Sequence, residues 1–278
     1  MASPFQPFEP AVPDYEDEMA ARAGERRRIP VRHIVPNLVT IVAICAGMTG
    51  MRLAFEGRFE LAVGLVIVAA LLDGIDGRIA RMLKGQSRFG AEMDSLADIV
   101  NFGVVPATVL YAFSLHNVGP TGWIAALLYV STCALRLARF NTMLEGPKRP
   151  AWQTKFFTGV PAPAGAGLAL FPVYLSFTGI DIGEPRLTAA LSAVHLLLVG
   201  FLMASRIPTW SGKTISVRVR RDYVIPVMLG VVLYIVLLAT FLWETLTVTV
   251  AAYYVSIFFS LRDYRRHLRM PEAEPEEG

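Results

Sequence analysis

The sequence predicts an all-α polytopic membrane protein with about eight transmembrane helices and both termini cytosolic, and three observations carry that expectation. Apolar residues fill 54% of the 278 positions and mean hydropathy is +0.48, beyond what a soluble domain of this size shows. Apolar runs of about 20 residues, enough to cross a hydrocarbon core of about 30 Å, recur along the chain. Lys and Arg gather in alternate connections between those runs, as the positive-inside rule requires of cytosolic segments.

Residues 1–30, rich in Pro and charge and without an apolar core, are no secretory signal peptide; they are expected to form a flexible cytosolic arm. A transmembrane catalytic domain is expected over 31–265, with spans at 34–55, 59–83, 91–114, 121–143, 159–178, 187–205, 223–244 and 246–262. An acidic cytosolic tail, 266–278, closes the chain. The inner ends collect Arg22, Arg26, Arg27, Arg28 and Arg32, then Arg78, Arg81, Lys84 and Arg88, then Arg136, Arg139, Lys148, Arg149 and Lys155. Further on they collect Arg206, Lys213, Arg218, Arg220 and Arg221, then Arg262, Arg265, Arg266 and Arg269; Arg52, Arg58 and Arg186 fall outside. Net charge is only +3, and the bases suit topology and anionic headgroups, with no groove chemistry for nucleic acid. Cys45 and Cys133 lie in apolar spans and read as small core residues. His195, alone in the sixth span, reads as a packed polar residue.

The second and third spans hold the chemistry. Asp73 and Asp76 are three apart and Asp94 and Asp98 four apart, so each pair shares one helix face. At 1.5 Å per residue the first pair lies roughly 10 to 15 Å, and the second roughly 5 to 10 Å, from the inner helix ends. The four acids thus share one depth on adjacent antiparallel helices. Uncompensated, each costs about 2.5 to 3.5 kcal/mol at mid-helix, so something cationic must hold them. A salt-bridge cluster with Arg78, Arg81 and Arg88 is one possibility, but three arginines on one turn and a loop are too few for four acids. All-oxygen ligation without His or Cys suits hard ions such as Mg²⁺ or Mn²⁺. Shared by two helices, the set can hold two ions a few ångströms apart, the arrangement that clamps attacking and leaving oxygens in phosphoryl displacement. Around it, Gly77 and Ala80 keep the helix slim for a phosphate, Arg81 can pair with phosphate oxygens, Ser87 offers a hydroxyl and Gly90 permits a sharp entry to the third span.

The pattern Asp73-x-x-Asp76-Gly77-x-x-Ala80-Arg81, eight residues, Gly90-x-x-x-Asp94-x-x-x-Asp98 resembles the complete signature of the CDP-alcohol phosphotransferase family. The resemblance implies a six-helix core around a polar cytosol-facing cavity, two divalent cations, homodimers, and transfer from CDP-diacylglycerol to an alcohol with release of CMP at the cytoplasmic (inner) membrane. By the same resemblance Asp73, Asp76, Asp94 and Asp98 match metal positions and Asp98 the general base. Gly77, Arg81 and Ser87 match contacts to the cytidine diphosphate, with Ala80 and Gly90 in the motif. Pro36-Asn37-Leu38-Val39-Thr40 resembles another part of that nucleotide site, which adds Asn37 and Thr40.

The acceptor rests on other tracts. MDSLADIVNFGVVPA (93–107), ALRLARFN (134–141) and FTGVPAPAGAG (157–167) resemble the serine-using branch of the family, with Ala162 where that branch has Ser. L-serine needs a cation for its carboxylate and oxygen acceptors for its ammonium. Arg136 and Arg139 sit three apart at an inner helix end with Asn141 beyond, and Asn101 follows Asp98 by three. Pro161 and Pro163 are expected inside the fifth helix, freeing carbonyls that line the acceptor pocket. Choline would call for an aromatic cage and glycerol 3-phosphate for a denser basic pocket; inositol is the other alternative. A divalent-cation transporter would spread its acids through the membrane's depth, whereas these cluster near one face.

Overall fold

The structure, a computed structural model, describes residues 31–83, 87–144, 156–180, 183–210 and 221–268. The expected arm (1–30) and the last ten residues of the tail lie outside the described residues, as do Lys84, Lys148, Arg149, Lys155, Lys213, Arg218 and Arg220. Helices α1 (Val31–Phe55) and α2 (Phe59–Met82) form an antiparallel pair joined by a tight turn. They approach closely where a Cβ on Gly50 would come within 2.9 Å of the Ala62 carbonyl oxygen. Helix α3 (Arg88–Asp98) continues through a π-helical segment (Ile99–Val104) into α4 (Val105–Phe113), and a 3₁₀ turn (Leu115–Val118) leads to α5 (Pro120–Leu144).

Beyond α5 come β1 (Phe156–Thr158), α6 (Ala162–Ala169), α7 (Phe171–Phe177), α8 (Pro185–Ala204), β2 (Pro208–Trp210), α9 (Arg221–Thr240) and α10 (Leu242–Leu268). The described residues are overwhelmingly helical, and the strands among them form the antiparallel β1–β2 pair, registered Phe157 to Thr209. That pair is a clasp between segments far apart in sequence. Thr209 donates to the Gly159 carbonyl at 2.8 Å and Ser260 of α10 donates to the Pro208 carbonyl at 3.0 Å.

Among the described residues six helices are long and apolar enough to cross a membrane: 34–55, 89–113, 120–143, 185–204, 223–240 and 242–266. Two of the eight expected spans differ. Helix α2 has the length, at 24 residues, but carries Glu60, Asp73, Asp76, Arg78 and Arg81. The expected fifth span is broken at Leu170 into α6 and α7, of eight and seven residues. Pro172 explains the break, because it has no N–H for the carbonyl four residues back, Leu168. His195 Nε2 lies 2.8 Å from that oxygen, so the lone histidine of α8 is a packed polar residue that satisfies an orphaned backbone group. Pro161 and Pro163, expected inside the fifth helix, instead stand at the N-cap and first turn of α6. Those positions need no intrahelical donor, so the two prolines free no carbonyl there.

The core gathers where α4, α5, α6 and α8 meet, around Phe102, Val105, Leu110, Tyr129, Leu168, Leu196 and Met203, all fully or almost fully buried. Helix α9 is its opposite: residues 223–237 are exposed throughout. Its Tyr234 hydroxyl meets Thr249 of α10 at 3.1 Å.

Candidate functional site

Helices α1, α2 and α3 assemble the acids. Ligating oxygens of Asp73, Asp76 and Asp94 all lie within 4.8 Å of one another, as helix-face spacing on two antiparallel helices requires. Asp98, one turn beyond Asp94, lies against Asp73 closely enough for the two carboxyls to share a hydrogen bond. Thr40 of α1 donates to Asp76 Oδ2 at 2.6 Å and also to the Pro36 carbonyl at 3.1 Å, which fixes the rotamer of a buried acid.

The donor set fits a hard divalent cation. It is all oxygen, and Asp73 Oδ1 and Asp76 Oδ1 are buried with no hydrogen-bond partner. Among the residues whose side chains are described, no arginine forms an ion pair with them, and the pair found between such residues, Arg52–Glu56 at 2.8 Å, lies on the far turn; the Arg88 side chain lies outside the described residues. Arg78 and Arg81 are exposed. Buried carboxylate oxygens without donors are costly unless a cation takes their place.

The positions expected to face a nucleotide lie around this cluster. A Cβ on Gly77 would meet nothing within 4 Å, so the helix is bare on that side. Ala80 is half-buried one turn further on, and Arg81 extends from the exposed C-terminal end of α2. Ser87 caps α3 by accepting from the Gly90 N–H at 3.0 Å. A Cβ on Gly90 would come within 3.0 Å of Asn37 Oδ1, so Asn37, Ser87 and Gly90 meet at one point although the first is some fifty residues away in sequence.

The opposite wall is made by α5. Tyr129, Cys133 and Arg136, spaced four and three, lie on one helix face, and all are buried. They run along the segment that follows Asp98. Arg136 stands in the electrostatic field of Asp98, Cys133 packs where a Cβ on Gly103 would touch it at 3.4 Å, and Tyr129 donates to the Phe102 carbonyl at 2.9 Å. Arg136 is 9% exposed, its Nε has no partner, and its guanidinium lies 5.9 Å from the Phe140 ring centroid. Asn101 is 1% exposed with neither amide atom hydrogen-bonded. It lies in the π-helical segment, where α-helical facing rules fail, and its side chain lies against Gly47 of α1.

Arg139 and Asn141 have different surroundings. Arg139 Nη1 donates to the Ala204 carbonyl at 2.7 Å, tying α5 to the end of α8, and borders a cleft of about 500 Å³ shared with Thr158, Arg206 and Tyr264. Asn141 donates to Ser95 Oγ at 3.0 Å, tying α5 to α3. Sequence reading did not reach Tyr129 or Gly47, where a Cβ would collide with Asn101 Oδ1. The signal for Tyr129 was available in principle: Pro106 has no N–H for the carbonyl four residues back, Phe102, and a hydroxyl on a neighbouring helix can replace it.

The profile of the family described as CDP-alcohol phosphatidyltransferase matches residues 33–204, from α1 to the end of α8. A second profile, described as CDP-alcohol phosphatidyltransferase 2, matches residues 222–257 in α9 and α10. A CDP-diacylglycerol–serine O-phosphatidyltransferase of Mycobacterium leprae (strain TN) is 40% identical over 256 residues, which cover 92% of this chain and 83% of that protein. Proteins of the same name from Helicobacter pylori (strain 26695) and Bacillus subtilis (strain 168) are 37% and 34% identical over 177 and 173 residues. These alignments cover 63% and 62% of this chain, and 71% and 88% of those proteins.

Proposed function

This chain belongs to the CDP-alcohol phosphatidyltransferase family, and on that premise we propose that it transfers the phosphatidyl group of CDP-diacylglycerol to the hydroxyl of L-serine, releasing CMP. The observation that carries this reading is the convergence of Asp73, Asp76 and Asp94 with two orphaned buried oxygens, on a chain similar over 92% of its length to a serine-using enzyme. Asp73, Asp76, Asp94 and Asp98 would hold two divalent cations, Mg²⁺ or Mn²⁺. When bound, such ions neutralise the diphosphate and stabilise the departing CMP.

The chain's own groups do the rest. Thr40 holds Asp76 in its ligating rotamer. Gly77 and Ala80 let the diphosphate approach α2, Arg81 pairs with its oxygens, and Asn37, Ser87 and Gly90 border the nucleotide. Asp98 accepts the proton of the serine hydroxyl as its oxygen bonds to the diacylglycerol-side phosphorus, and the phosphorus–oxygen bond to CMP breaks. Arg136 receives the serine carboxylate and Asn101 its polar groups. Arg139 and Asn141, already hydrogen-bonded between helices, serve that pocket from its margin. The reaction chamber opens to the cytosol at the inner membrane, with both termini on that side, and the protein works as a homodimer.

The test is an acceptor panel. Purified chain in detergent or nanodiscs, given CDP-diacylglycerol and Mn²⁺, is expected to release CMP and form phosphatidylserine with serine well above inositol, choline or glycerol 3-phosphate. Excess chelator is expected to abolish turnover. CMP release that persists in chelator, or a preference for another alcohol, contradicts the reading.

A further inference from the structure

At two of the prolines in the described helices, a neighbouring helix supplies a polar side chain to the carbonyl four residues back. Pro172 leaves Leu168 O, which lies 2.8 Å from His195 Nε2. Four residues before Pro106, in the π-helical segment whose closing bond runs five residues back from Val105 N–H to Val100 O, Phe102 O accepts from the Tyr129 hydroxyl at 2.9 Å. The first site lies within the apolar bundle, nine residues or about 13 Å of helical rise from the end of α8. The second lies inside the π-helical segment that begins directly after Asp98.

That segment holds Asn101, 1% exposed and with both amide atoms unpartnered. Buried polar atoms in native proteins are almost always paired, and the exceptions commonly mark functional groups. Gly47 of α1 leaves the space that Asn101 Oδ1 enters, since a Cβ there would collide with it. A π-helical turn carries an extra residue and frequently marks a functional site; here it sets which way position 101 faces relative to Asp98.

We propose that Tyr129 is a positioning residue for the acceptor half of the reaction. By holding Phe102 O it fixes the π turn in the register that presents the Asn101 amide, in the gap left by Gly47, to the acceptor beside Asp98. This rests on the serine reading above. A carboxamide offers one acceptor oxygen and two N–H donors, the complement of a zwitterion that brings an ammonium and a carboxylate.

Tyr129→Phe keeps the ring and removes only the donor. It is expected to raise the serine KM at least about fivefold while the CDP-diacylglycerol KM stays within about twofold, an uneven split that a general loss of packing does not produce. His195→Leu removes the side-chain partner at the proline-opened carbonyl within the apolar bundle. It is expected to lower the thermal midpoint without splitting the two KM values. In an Asn101→Ala background, Tyr129→Phe is expected to add less than about twofold to the serine KM. Should Tyr129→Phe fail to fold, Gly47→Ala decides, because it crowds the same amide from the other side and leaves Phe102 O bonded; the same split is expected. Both KM values moving together, neither moving, or an equal split in His195→Leu overturns the inference. A wild-type chain that prefers another alcohol overturns the serine reading alone, and the same split, read with that alcohol, still decides the role of Tyr129.

Discussion

The two walls of the site are built by different means. On the donor wall, α1 to α3 bring three carboxylates within 4.8 Å and leave oxygens without partners, beside an open side of Gly77. On the acceptor wall, the face Tyr129–Cys133–Arg136 is packed against an irregular turn and every one of those side chains is buried. The donor wall is a charged frame of the kind a cation balances; the acceptor wall, on the function proposed above, is a packed surface whose unpartnered polar atoms, Arg136 Nε and the Asn101 amide, suit a small polar ligand. Changes on the first should therefore destroy transfer whatever the acceptor, whereas changes on the second should alter acceptor handling and spare the lipid.

The sharpest division comes from the acids. Asp73→Asn or Asp94→Asn is expected to cut transfer about 10³-fold or more with every alcohol, since bound cations supply several kcal/mol of transition-state stabilisation and ~1.36 kcal/mol is a factor of ten; CMP release by the folded variants checks it. Asp98→Asn stands on the border of the two walls. It is expected to lose about 10² to 10⁴-fold in kcat with the CDP-diacylglycerol affinity retained at saturating Mn²⁺, the size of a lost general base. Normal transfer by this variant across pH would reduce Asp98 to scaffold. Next comes Arg136→Ala, expected to raise the serine KM roughly 10- to 100-fold, the worth of a charge-assisted hydrogen bond of about 1.5 to 3 kcal/mol, with little change for the lipid. An equal loss of lipid affinity would merge the two walls. The smallest effect is expected from Asn141→Ala, which removes the bond to Ser95: about 1 kcal/mol of stability, read as a lowered Tm, with the serine KM raised only about two- to threefold and the CDP-diacylglycerol KM unchanged.

The donor wall was legible in the sequence because helical periodicity alone places Asp73 with Asp76 and Asp94 with Asp98, and charge in apolar terrain demands a reason. Thr40 and Asn37 entered with the family resemblance, and the contacts to Asp76 and Gly90 give them physical roles. The acceptor wall was only half legible. Arg136 is conspicuous as a charge, but Tyr129 and Gly47 look like any tyrosine or glycine in a membrane helix, and the π turn that brings them to Asn101 breaks the period on which face assignment depends. In the fifth span Pro161 and Pro163 stand at a helix start and Pro172 opens the helix, a distinction that apolar periodicity does not carry. The β1–β2 clasp was invisible because its strands are three residues each and pair across some fifty positions.

Binding of Mn²⁺ to the purified chain, followed by electron paramagnetic resonance in the absence of any acceptor, tests the donor wall most directly. Saturable binding by the wild type is predicted, tightened by CDP-diacylglycerol, lost in Asp94→Asn and unchanged in Arg136→Ala. Wild type and Asp94→Asn titrating alike would contradict the assignment of the carboxylate cluster as the cation site.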